Sequence, residues 1–285
     1  MAGPSFSLIL ATIGRCSEIE KLFISLINQS FKDFEIILID QSQDDLLSML
    51  VKRYSSFLLI RHTKSLPGLS KARNVGLKIA AGNVLCFPDD DCLYPPFLLE
   101  KVLNYFNLFP NIAGISGCLI DNDGRVSVRK FYKQSDLLTK KNVWKKAMSA
   151  TIFIKKEVVT HYFNEDLGLG ANTPWLAAEE TDFLLKLIEN KTNIIYLPTI
   201  QIIHPNKDDH QIYINKEEYF KRALNYGRGC GKVLRLHRYN FIFVLLFLIR
   251  PLVGSAIFFL RFNTIKAKYY YYSFKGRLLG WRDVE

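Results

Sequence analysis

The chain has few cysteines, and none of them is spaced for a metal site or a redox pair. Five of its 285 residues are cysteines, namely Cys16, Cys86, Cys92, Cys118 and Cys230. They are widely separated and odd in number and include no C-x-x-C pair, which argues against a zinc site and against a disulfide framework. We therefore expect a reducing, cytoplasmic setting.

The N-terminus has no basic region of the kind that opens a signal sequence. Its apolar run, within MAGPSFSLILATIG, is also too short for one. We therefore expect no signal peptide, and the run predicts a first β-strand.

A distributed basic face, typical of nucleic-acid-binding domains, is missing as well. The formal net charge is +11, but the 14 Lys and Arg residues from Lys216 onward, against 4 Asp and Glu, supply +10 of it. We expect no nucleic-acid partner. Because this basic segment is also the most apolar part of the chain, we predict two parts: a catalytic domain at residues 1–215 and a helical tail at residues 216–285.

Apolar periodicity predicts an alternation of strands and helices in the first 110 residues. Strands are expected at residues 6–13, 34–39, 57–61 and 84–87, and helices at residues 18–28, 42–54, 70–81 and 95–109. Four such alternations predict a doubly wound, mostly parallel sheet. Further strands are expected at residues 112–120, 148–154, 193–197 and 201–203, with a tight turn at residues 121–124.

Three consecutive carboxylates, Asp89, Asp90 and Asp91, follow the strand predicted at residues 84–87. Ligands of open α/β sheets collect outside the carboxyl ends of the strands. Adjacent carboxylates repel one another, and oxygen ligands suit Mg²⁺ or Mn²⁺, which complete their coordination with water and substrate phosphates. The pattern predicts a metal–diphosphate site; the alternative is a solvated acidic turn in which Asp91 caps the next helix.

A loop and an acidic helix start follow later in the chain. Residues 164–175 are rich in Gly, Asn and Pro, which predicts a loop, and residues 177–190 have helical spacing. The first helical turn carries Glu179, Glu180 and Asp182, which would also complement the helix dipole. His204 ends the last predicted strand, where a lone histidine is a structural residue unless carboxylates face it.

Five motifs, taken in this order, resemble those of the family 2 glycosyltransferases. They are Ala11-Thr12-Ile13-Gly14-Arg15, Asp40-Gln41-Ser42, Gly68-Leu69-Ser70-Lys71-Ala72-Arg73-Asn74, Phe87-Pro88-Asp89-Asp90-Asp91 and Glu179-Glu180-Thr181-Asp182. The resemblance covers about residues 6–204. It implies a GT-A fold, which is an α/β, Rossmann-like and mostly parallel sheet flanked by helices. It also implies an inverting transferase that uses nucleotide-diphosphate sugars, with a UDP-sugar as the expected donor.

The resemblance also implies which residues bind the donor. They are Thr12, Arg15, Asp40, Arg73, Asp89 and Asp90. Asp40 should meet the nucleotide base, and Arg73 should lie near the diphosphate. The first strand of the family commonly ends in Pro-Thr-Tyr-Asn-Arg, and here Ile13 and Gly14 replace the middle pair.

Metal and base are implied in the same way. Asp90, Asp91 and His204 would hold Mn²⁺ or Mg²⁺, and Glu180 would be the catalytic base. The family pattern at this helix is usually Glu-Asp-x-Asp, so Glu180 stands where an aspartate is more common. A carboxylate that removes the proton of the attacking hydroxyl contributes typically about 10²–10⁴-fold to the rate.

The acceptor side is expected around the loop that precedes the base. Trp175, Gly170, Glu179 and Asp182 are the predicted acceptor contacts. An acceptor sugar could stack on the indole of Trp175; the alternative is that Trp175 is a packing anchor.

The tail combines apolar runs with basic flanks. Residues 241–260 form two apolar runs of nine residues separated by Arg250 and Pro251, after a helix from Lys216 that we expect to be interrupted at residues 227–231. Twenty helical residues reach roughly 30 Å, enough for a bilayer core, but a central arginine costs about 2.5–3.5 kcal/mol on insertion scales. We expect a broken, amphipathic or re-entrant anchor on an anionic membrane surface; the alternative is a buried helical pair.

These expectations combine into one functional hypothesis. The chain would be a metal-dependent inverting glycosyltransferase at the cytoplasmic face of the cell membrane, acting on a lipid-linked or growing cell-surface glycan. The alternatives are a polyprenyl-phosphate sugar transferase and a non-catalytic partner in polysaccharide assembly. A nucleotidyltransferase is disfavoured because no Gly-rich phosphate loop lies near the N-terminus.

Overall fold

A computed structural model describes residues 3–127, 132–204 and 215–283. It divides the chain into two compact units. The first contains residues 1–67, 71–163 and 183–206; the second contains residues 68–70, 164–182 and 207–285. The structure thus divides the chain differently from the predicted boundary at residue 215, since the second unit also takes in two earlier segments.

The first unit is built on an eight-stranded sheet. The strands run in the order β3-β2-β1-β4-β7-β5-β8-β6, and β1 to β4 are mutually parallel. β7 is antiparallel to β4 and β5, and β8 is parallel to β5. The strands are β1 (Phe6–Thr12), β2 (Phe34–Asp40), β3 (Ile60–Lys64), β4 (Val84–Cys86), β5 (Gly114–Ile120), β6 (Asp136–Leu137), β7 (Ile152–Lys155) and β8 (Ile194–Ile203).

Helices flank the sheet and fill the second unit. They are α1 (Cys16–Ile27), α2 (Leu46–Tyr54), α3 (Leu69–Ile79), α4 (Leu98–Leu108), α5 (Val143–Lys146), α6 (Glu179–Glu189), α7 (Lys216–Leu236), α8 (Phe241–Leu260) and α9 (Thr264–Arg282). Every residue of β2 is buried, as is typical of a parallel strand covered on both faces. The first four strand–helix alternations of the prediction are confirmed.

Several boundaries differ from the predictions. β3 begins at Ile60 because Phe57 lies in the turn that ends α2 and is exposed. The two predicted strands at residues 193–197 and 201–203 are one strand, β8, whose register against β5 shifts between Ser116 and Cys118. α3 begins at Leu69, one residue before the predicted start, so Ser70 lies inside the helix, and its hydroxyl donates to the carbonyl of Leu167.

The predicted turn at residues 121–124 is present. The Asp121 carboxylate accepts hydrogen bonds from the backbone N–H groups of Asp123 and Arg125, at 3.0 and 2.8 Å. Val126 then forms a bridge with Ile120. Residues 128–131 lie outside the described residues.

The prediction of an interrupted helix after Lys216 is wrong. α7 runs without a break through Gly227 and Gly231 because these glycines are contact points with α9. A Cβ added at Gly231 would lie 2.2 Å from the carbonyl oxygen of Arg277, and one at Gly276 would lie 2.1 Å from that of Leu224. Paired small-x-x-x-small motifs of this kind bring two helix backbones together.

α8 is one continuous helix through Pro251, so the expected break is also wrong. Its inner residues Val244, Leu248 and Pro251 are buried. Most of its other side chains are apolar and exposed, and Arg250 is exposed among them. Within the described ranges, α8 alone is long and apolar enough to cross a membrane.

Candidate active site

The topology places a crevice at the carboxyl ends of β1 and β4. β1 lies between β2 and β4. From β1 the chain runs outward to β2 and β3 and then returns to β4 on the other side of β1, and ligand crevices form at such switch points. The hydroxyl of Thr12, at the end of β1, donates to Asp90 Oδ2 at 2.8 Å. Gly14 follows with a positive φ of 64°, and its N–H donates to Ser42 Oγ at 2.7 Å. A glycine tolerates this backbone conformation, which turns the chain from β1 into α1.

Arg15 joins the first strand to the acidic triplet. Its Nη1 lies 2.7 Å from Asp90 Oδ1 and 3.0 Å from Asp91 Oδ2. Partial burial works to lower the pKa of Arg15, but the two carboxylates raise it above its usual value. The side chain is 42% exposed, so this cation is held at the rim of the crevice and stays open to a ligand.

Asp91 pairs with the histidine at the end of β8. Asp91 Oδ1 lies 3.2 Å from His204 Nε2. The hydrogen bond from His204, together with the charge of Arg15, lowers the pKa of Asp91 to about 2. A carboxylate therefore faces His204, and this is the case in which a histidine at a strand end has more than a structural role. The helix-capping alternative for Asp91 is wrong, because its side chain is directed to Arg15 and His204.

Asp89 is held on the other side of the triplet. Ser149 Oγ donates to Asp89 Oδ1 at 3.3 Å, and Arg73 Nη2 lies 3.7 Å from the same oxygen. Burial raises the pKa of Asp89, and the charge of Arg73 offsets this only in part. Arg73 is itself buried, with its guanidinium 5.3 Å from the ring centre of Phe163. Arg73 is therefore a fixed positive charge beneath the triplet.

The residues present fit a divalent cation. One ligand atom each of Asp89, Cys92 and His204 lies within 4.8 Å of the others. Burial raises the pKa of the Cys92 thiol well above its usual value, so this sulfur stays protonated and suits a hard cation poorly. Asp89 and His204 remain of this group, and Asp91 Oδ1, 3.2 Å from His204 Nε2, adds a second carboxylate oxygen. Asp90 is bound to Thr12 and Arg15, and its role as a metal ligand stays a prediction.

Asp40 occupies a different environment from the one predicted. Its carboxylate is fully buried and lies 2.9 Å from Lys64 Nζ and 3.1 Å from His62 Nε2, and it accepts the N–H of Ser42 at 2.8 Å. Burial works to raise the pKa of Asp40, but these hydrogen bonds lower it below its usual value. The carboxylate thus orders the end of β2 and has no exposed face for a nucleotide base.

The acidic start of α6 belongs to the second unit. Glu179 is buried, and a Cβ added at Gly168 would lie 3.2 Å from its side chain. Asp182 is buried too, with Oδ1 at 2.9 Å from His237 Nε2. Glu180 is half-buried and has no hydrogen bond or ion pair to any part of the chain that the structure describes. Of the three acids, Glu180 is the one whose carboxylate is not used in packing.

Trp175 is a packing anchor. It is 8% exposed, Lys232 Nζ lies 4.0 Å from its ring centre, and its Nε1 donates to Asp283 Oδ2 at 3.1 Å. The packing alternative for Trp175 therefore holds in place of the predicted stacking. Glu179 and Asp182 are buried as well, and their contact with an acceptor stays a prediction. Gly170 is exposed, and its acceptor role stays a prediction.

Comparison with known proteins identifies the family. The profile described as glycosyl transferase family 2 matches residues 7–163, more than half of the chain. This chain belongs to glycosyl transferase family 2. The match contains the crevice residues from Thr12 to Ser149 and ends before the acidic start of α6.

Two curated relatives and one solved structure are similar to this family 2 chain. It is 29% identical over 188 residues to an uncharacterised glycosyltransferase of Haemophilus influenzae, covering 64% of this chain and 62% of that protein. It is 28% identical over 186 residues to the GalNAc(5)-diNAcBac-PP-undecaprenol β-1,3-glucosyltransferase of Campylobacter jejuni, covering 61% and 59%. The chain thus spans about three fifths of the length of these relatives.

The fold is similar to that of TarS from S. aureus. The crystal structure of TarS residues 1–349 superposes with a TM-score of 0.63 at 18% identity, covering 95% of this chain and 90% of that one. The same protein in complex with UDP-GlcNAc gives a TM-score of 0.60. The predicted GT-A fold class of the family 2 chain is confirmed.

Sequence reasoning missed several residues of the site. His62 and Lys64 on β3 hold Asp40, Ser149 binds Asp89, and His237 pairs with Asp182. A signal existed for the β3 pair, since adjacent parallel strands end at the same edge of a sheet. No local signal marked Ser149 or His237, because only the tertiary fold brings them to their partners.

Proposed function

We propose that this chain transfers one sugar from a nucleotide-diphosphate donor to a hydroxyl of a cell-surface glycan, with inversion at the anomeric carbon. The observation that carries the proposal is the position of Asp91 between Arg15 and His204, at the carboxyl edge of the sheet. An anionic diphosphate needs both a cation-binding carboxylate and a partly exposed positive charge, and this edge supplies Asp91 and Arg15 within one unit.

A uridine diphosphate sugar is the proposed donor. The support is the TarS structure that contains UDP-GlcNAc and has the same fold. Arg15 has the exposure needed to bind a diphosphate oxygen, while Arg73 is a buried charge that raises the positive potential beneath it. The Thr12 hydroxyl holds Asp90 in place beside the donor.

Asp89, Asp91 and His204 would hold Mn²⁺ or Mg²⁺. Once bound, the cation would neutralise the charge that grows on the diphosphate as its bond to the sugar breaks. Arg15 serves the same end from the protein side, because a guanidinium binds phosphate oxygens with two parallel hydrogen bonds. Fixed positive charge that needs no reorganisation stabilises a developing anion more effectively than water does.

We assign the catalytic base to Glu180. A sugar hydroxyl is a poor nucleophile at neutral pH, and a carboxylate that takes its proton during attack accelerates the reaction typically by about 10²–10⁴-fold. The support is the half-buried, uncommitted carboxylate of Glu180, in contrast to its neighbours Glu179 and Asp182. The proton moves from the acceptor oxygen to the Glu180 carboxylate as that oxygen attacks the anomeric carbon.

The proposed acceptor is a glycan carried on a polyprenyl lipid, and the proposed location is the cytoplasmic face of the cell membrane. The support is the Campylobacter jejuni relative, a glucosyltransferase named for its GalNAc(5)-diNAcBac-PP-undecaprenol acceptor. The exposed apolar surface of α8 supports the location. Such an acceptor is confined to the bilayer, so an enzyme that extends it benefits from a membrane surface of its own.

The proposal is tested first by thermal denaturation with UDP, GDP, dTDP and CMP, each with and without Mn²⁺. A ligand that binds only the native state raises the melting temperature. We expect one diphosphate, UDP, to stabilise the protein when the metal is present. The absence of a response to every nucleotide, from folded protein, would overturn the transferase proposal in favour of the assembly-partner alternative.

Two substitutions separate donor binding from transfer. Asp91→Asn should abolish the metal-dependent stabilisation by UDP because it removes a ligand of the cation. Glu180→Gln should keep that stabilisation and lower the transfer rate by about 10²–10⁴-fold. The matched control is Glu179→Gln, which alters a buried neighbour and should affect stability more than chemistry. Near-normal turnover by Glu180→Gln would refute the base assignment.

A further inference from the structure

A cationic and aromatic cavity lies in the second unit, at the C-terminal end of α7. It has a volume of about 350 Å³ and is lined by Leu234, Arg235, Arg238, Tyr239 and Trp281. Arg235 and Arg238 are exposed, and the Arg235 guanidinium lies 6.0 Å from the ring centre of Trp281. The cavity therefore combines two guanidinium groups with two aromatic rings that carry a hydrogen-bonding group.

Neither guanidinium is neutralised by the protein. In residues 3–127, 132–204 and 215–283, no carboxylate forms an ion pair with Arg235 or Arg238. Arg235, in the last turn of α7, is also well placed to stabilise the helix dipole. Arg238 lies beyond the end of α7, where its charge stabilises the helix dipole less.

Arg238 has a left-handed backbone conformation just after the end of α7. Arg238 has a φ of 49°, in the left-handed region, and the N–H of the following Tyr239 donates to the carbonyl of Leu234 at 3.1 Å. This is the Schellman arrangement, in which glycine is the usual residue because it has no Cβ to clash. Lys191 and Phe262 end two other helices of this chain in the same way, so a side chain is tolerated at this position and a glycine would suit it at least as well.

The cavity directly precedes the apolar helix. Tyr239 is followed by Asn240, whose side chain caps α8 by accepting the N–H of Phe243 at 2.8 Å. Phe241 and Ile242, the first two residues of α8, are 65% and 70% exposed. Positive charge, aromatic rings and a wide apolar surface thus follow one another over a few residues. This is the order in which a bilayer presents phosphate, interface and hydrocarbon.

We infer that this cavity binds the phosphate of an anionic phospholipid headgroup while the outer face of α8 inserts into the same leaflet. Arginine matches phosphate geometry with paired hydrogen bonds, and tryptophan and tyrosine are enriched at headgroup level. The inference rests on the proposed membrane location and is independent of sugar transfer.

The test is flotation of the full-length protein with vesicles of phosphatidylcholine, with and without phosphatidylglycerol. We expect binding to the anionic vesicles and much weaker binding to the neutral ones, and no competition by inorganic phosphate at the concentration of the lipid phosphate. The double variant Arg235→Gln/Arg238→Gly should lose binding by about tenfold or more, since each basic residue near an anionic surface contributes about a factor of five. Because glycine suits the left-handed backbone at position 238, this variant should keep its melting temperature.

A matched variant distinguishes the cavity from diffuse charge. Arg261→Gln/Lys268→Gln removes the same charge beyond the other end of α8, from two exposed side chains, and should weaken binding less than the cavity variant. Equal losses in the two variants, or equal binding to neutral vesicles, would overturn the headgroup site. Self-association of the wild-type chain without vesicle binding would also overturn it, in favour of a protein partner. Stabilisation by UDP and Mn²⁺ should persist in both variants, so failure of the lipid site is distinguishable from failure of the transferase proposal.

Discussion

At the scale of single residues, the groups that the fold places beside a buried carboxyl group decide the direction of its pKa shift. Asp91 has a cation on each side, and its pKa falls to about 2, whereas burial raises the pKa of Asp90 despite hydrogen bonds from Thr12 and Arg15. Carboxylates that are next to each other in sequence therefore differ in the direction of their pKa shifts because of what the fold places beside them. The three aspartates were visible in the sequence, but their different partners and pKa shifts were not.

Asp40 gives a prediction about stability and pH. Its pKa is lowered in the folded state, so its ionised form stabilises the protein at pH values above the pKa of the unfolded chain. Asp40→Asn should cost about 1–3 kcal/mol at neutral pH, because Lys64 and His62 lose a charged hydrogen-bond acceptor. The difference should shrink as the pH falls through the acidic range and the wild-type carboxyl is protonated. Urea unfolding of both proteins across that range measures it.

The control for Asp40 is Asp33→Asn, another aspartate that accepts hydrogen bonds, in this case at an exposed position near Ser5. Its substitution should cost less than that of Asp40 at neutral pH. If Asp40→Asn left the stability unchanged at neutral pH, the ion pairs at the end of β2 would contribute nothing net.

At the scale of elements, glycines decide how the helices of the second unit pack. Gly227 and Gly231 on α7 meet Gly276 and Gly280 on α9, and an added Cβ at any of the four would lie 2.0 to 2.6 Å from a carbonyl oxygen of the facing helix. In a single sequence, glycines inside a helical pattern predict an interruption. The packed pair makes the opposite use of them, which is why the predicted break was wrong.

The helix contact can be tested with one methyl group. Gly231→Ala should destabilise the protein by about 1–3 kcal/mol, as overpacked contacts do, although alanine is the better helix former. Gly254→Ala in α8 is the matched control, because its added Cβ would meet only the ring of Tyr270, at 3.0 Å. Thermal unfolding in detergent compares the two. A Gly231→Ala variant as stable as the control would show that α7 and α9 separate at little cost.

At the scale of the whole molecule, charge and apolar surface are segregated along the chain. The residues from Lys216 onward carry +10 of the net charge of +11, and they include α8 with its exposed apolar side chains. Exposed apolar patches of this extent mark interaction surfaces in soluble proteins. This segregation was readable from composition. The first four strand–helix alternations were readable from apolar periodicity, and the motifs of the crevice from the sequence itself.

Two faces of α8 should respond differently to the same substitution. Ile242→Gln/Leu246→Gln changes side chains that are 70% and 60% exposed and should leave stability nearly unchanged while reducing vesicle binding. Val244→Gln places an amide at a position that is 1% exposed and should cost about 1–3 kcal/mol. Thermal unfolding and flotation of both variants measure the contrast. A large loss of stability in the exposed-face variant would mean that this face is covered by protein.

The other features of the site could not be predicted from the sequence because they depend on contacts between segments that are far apart in the chain. His237 meets Asp182 across 55 positions of the chain, and Ser149 meets Asp89 across 60. Neither pair has a spacing rule that links its members. Burial of Trp175 is of the same kind, since its partners Lys232 and Asp283 lie far along the chain.

The discontinuous second unit has a consequence for how the protein is made. Residues 164–182, which carry Glu180, share that unit with α7, α8 and α9. Contacts between segments far apart in sequence form late, because the chain between them must first be available. During translation, the acidic turn around Glu180 therefore packs only after α7, α8 and α9 have left the ribosome. We expect the nascent chain to form the crevice at the ends of β1 and β4 first and to pack the acidic turn around Glu180 only when α7, α8 and α9 are released.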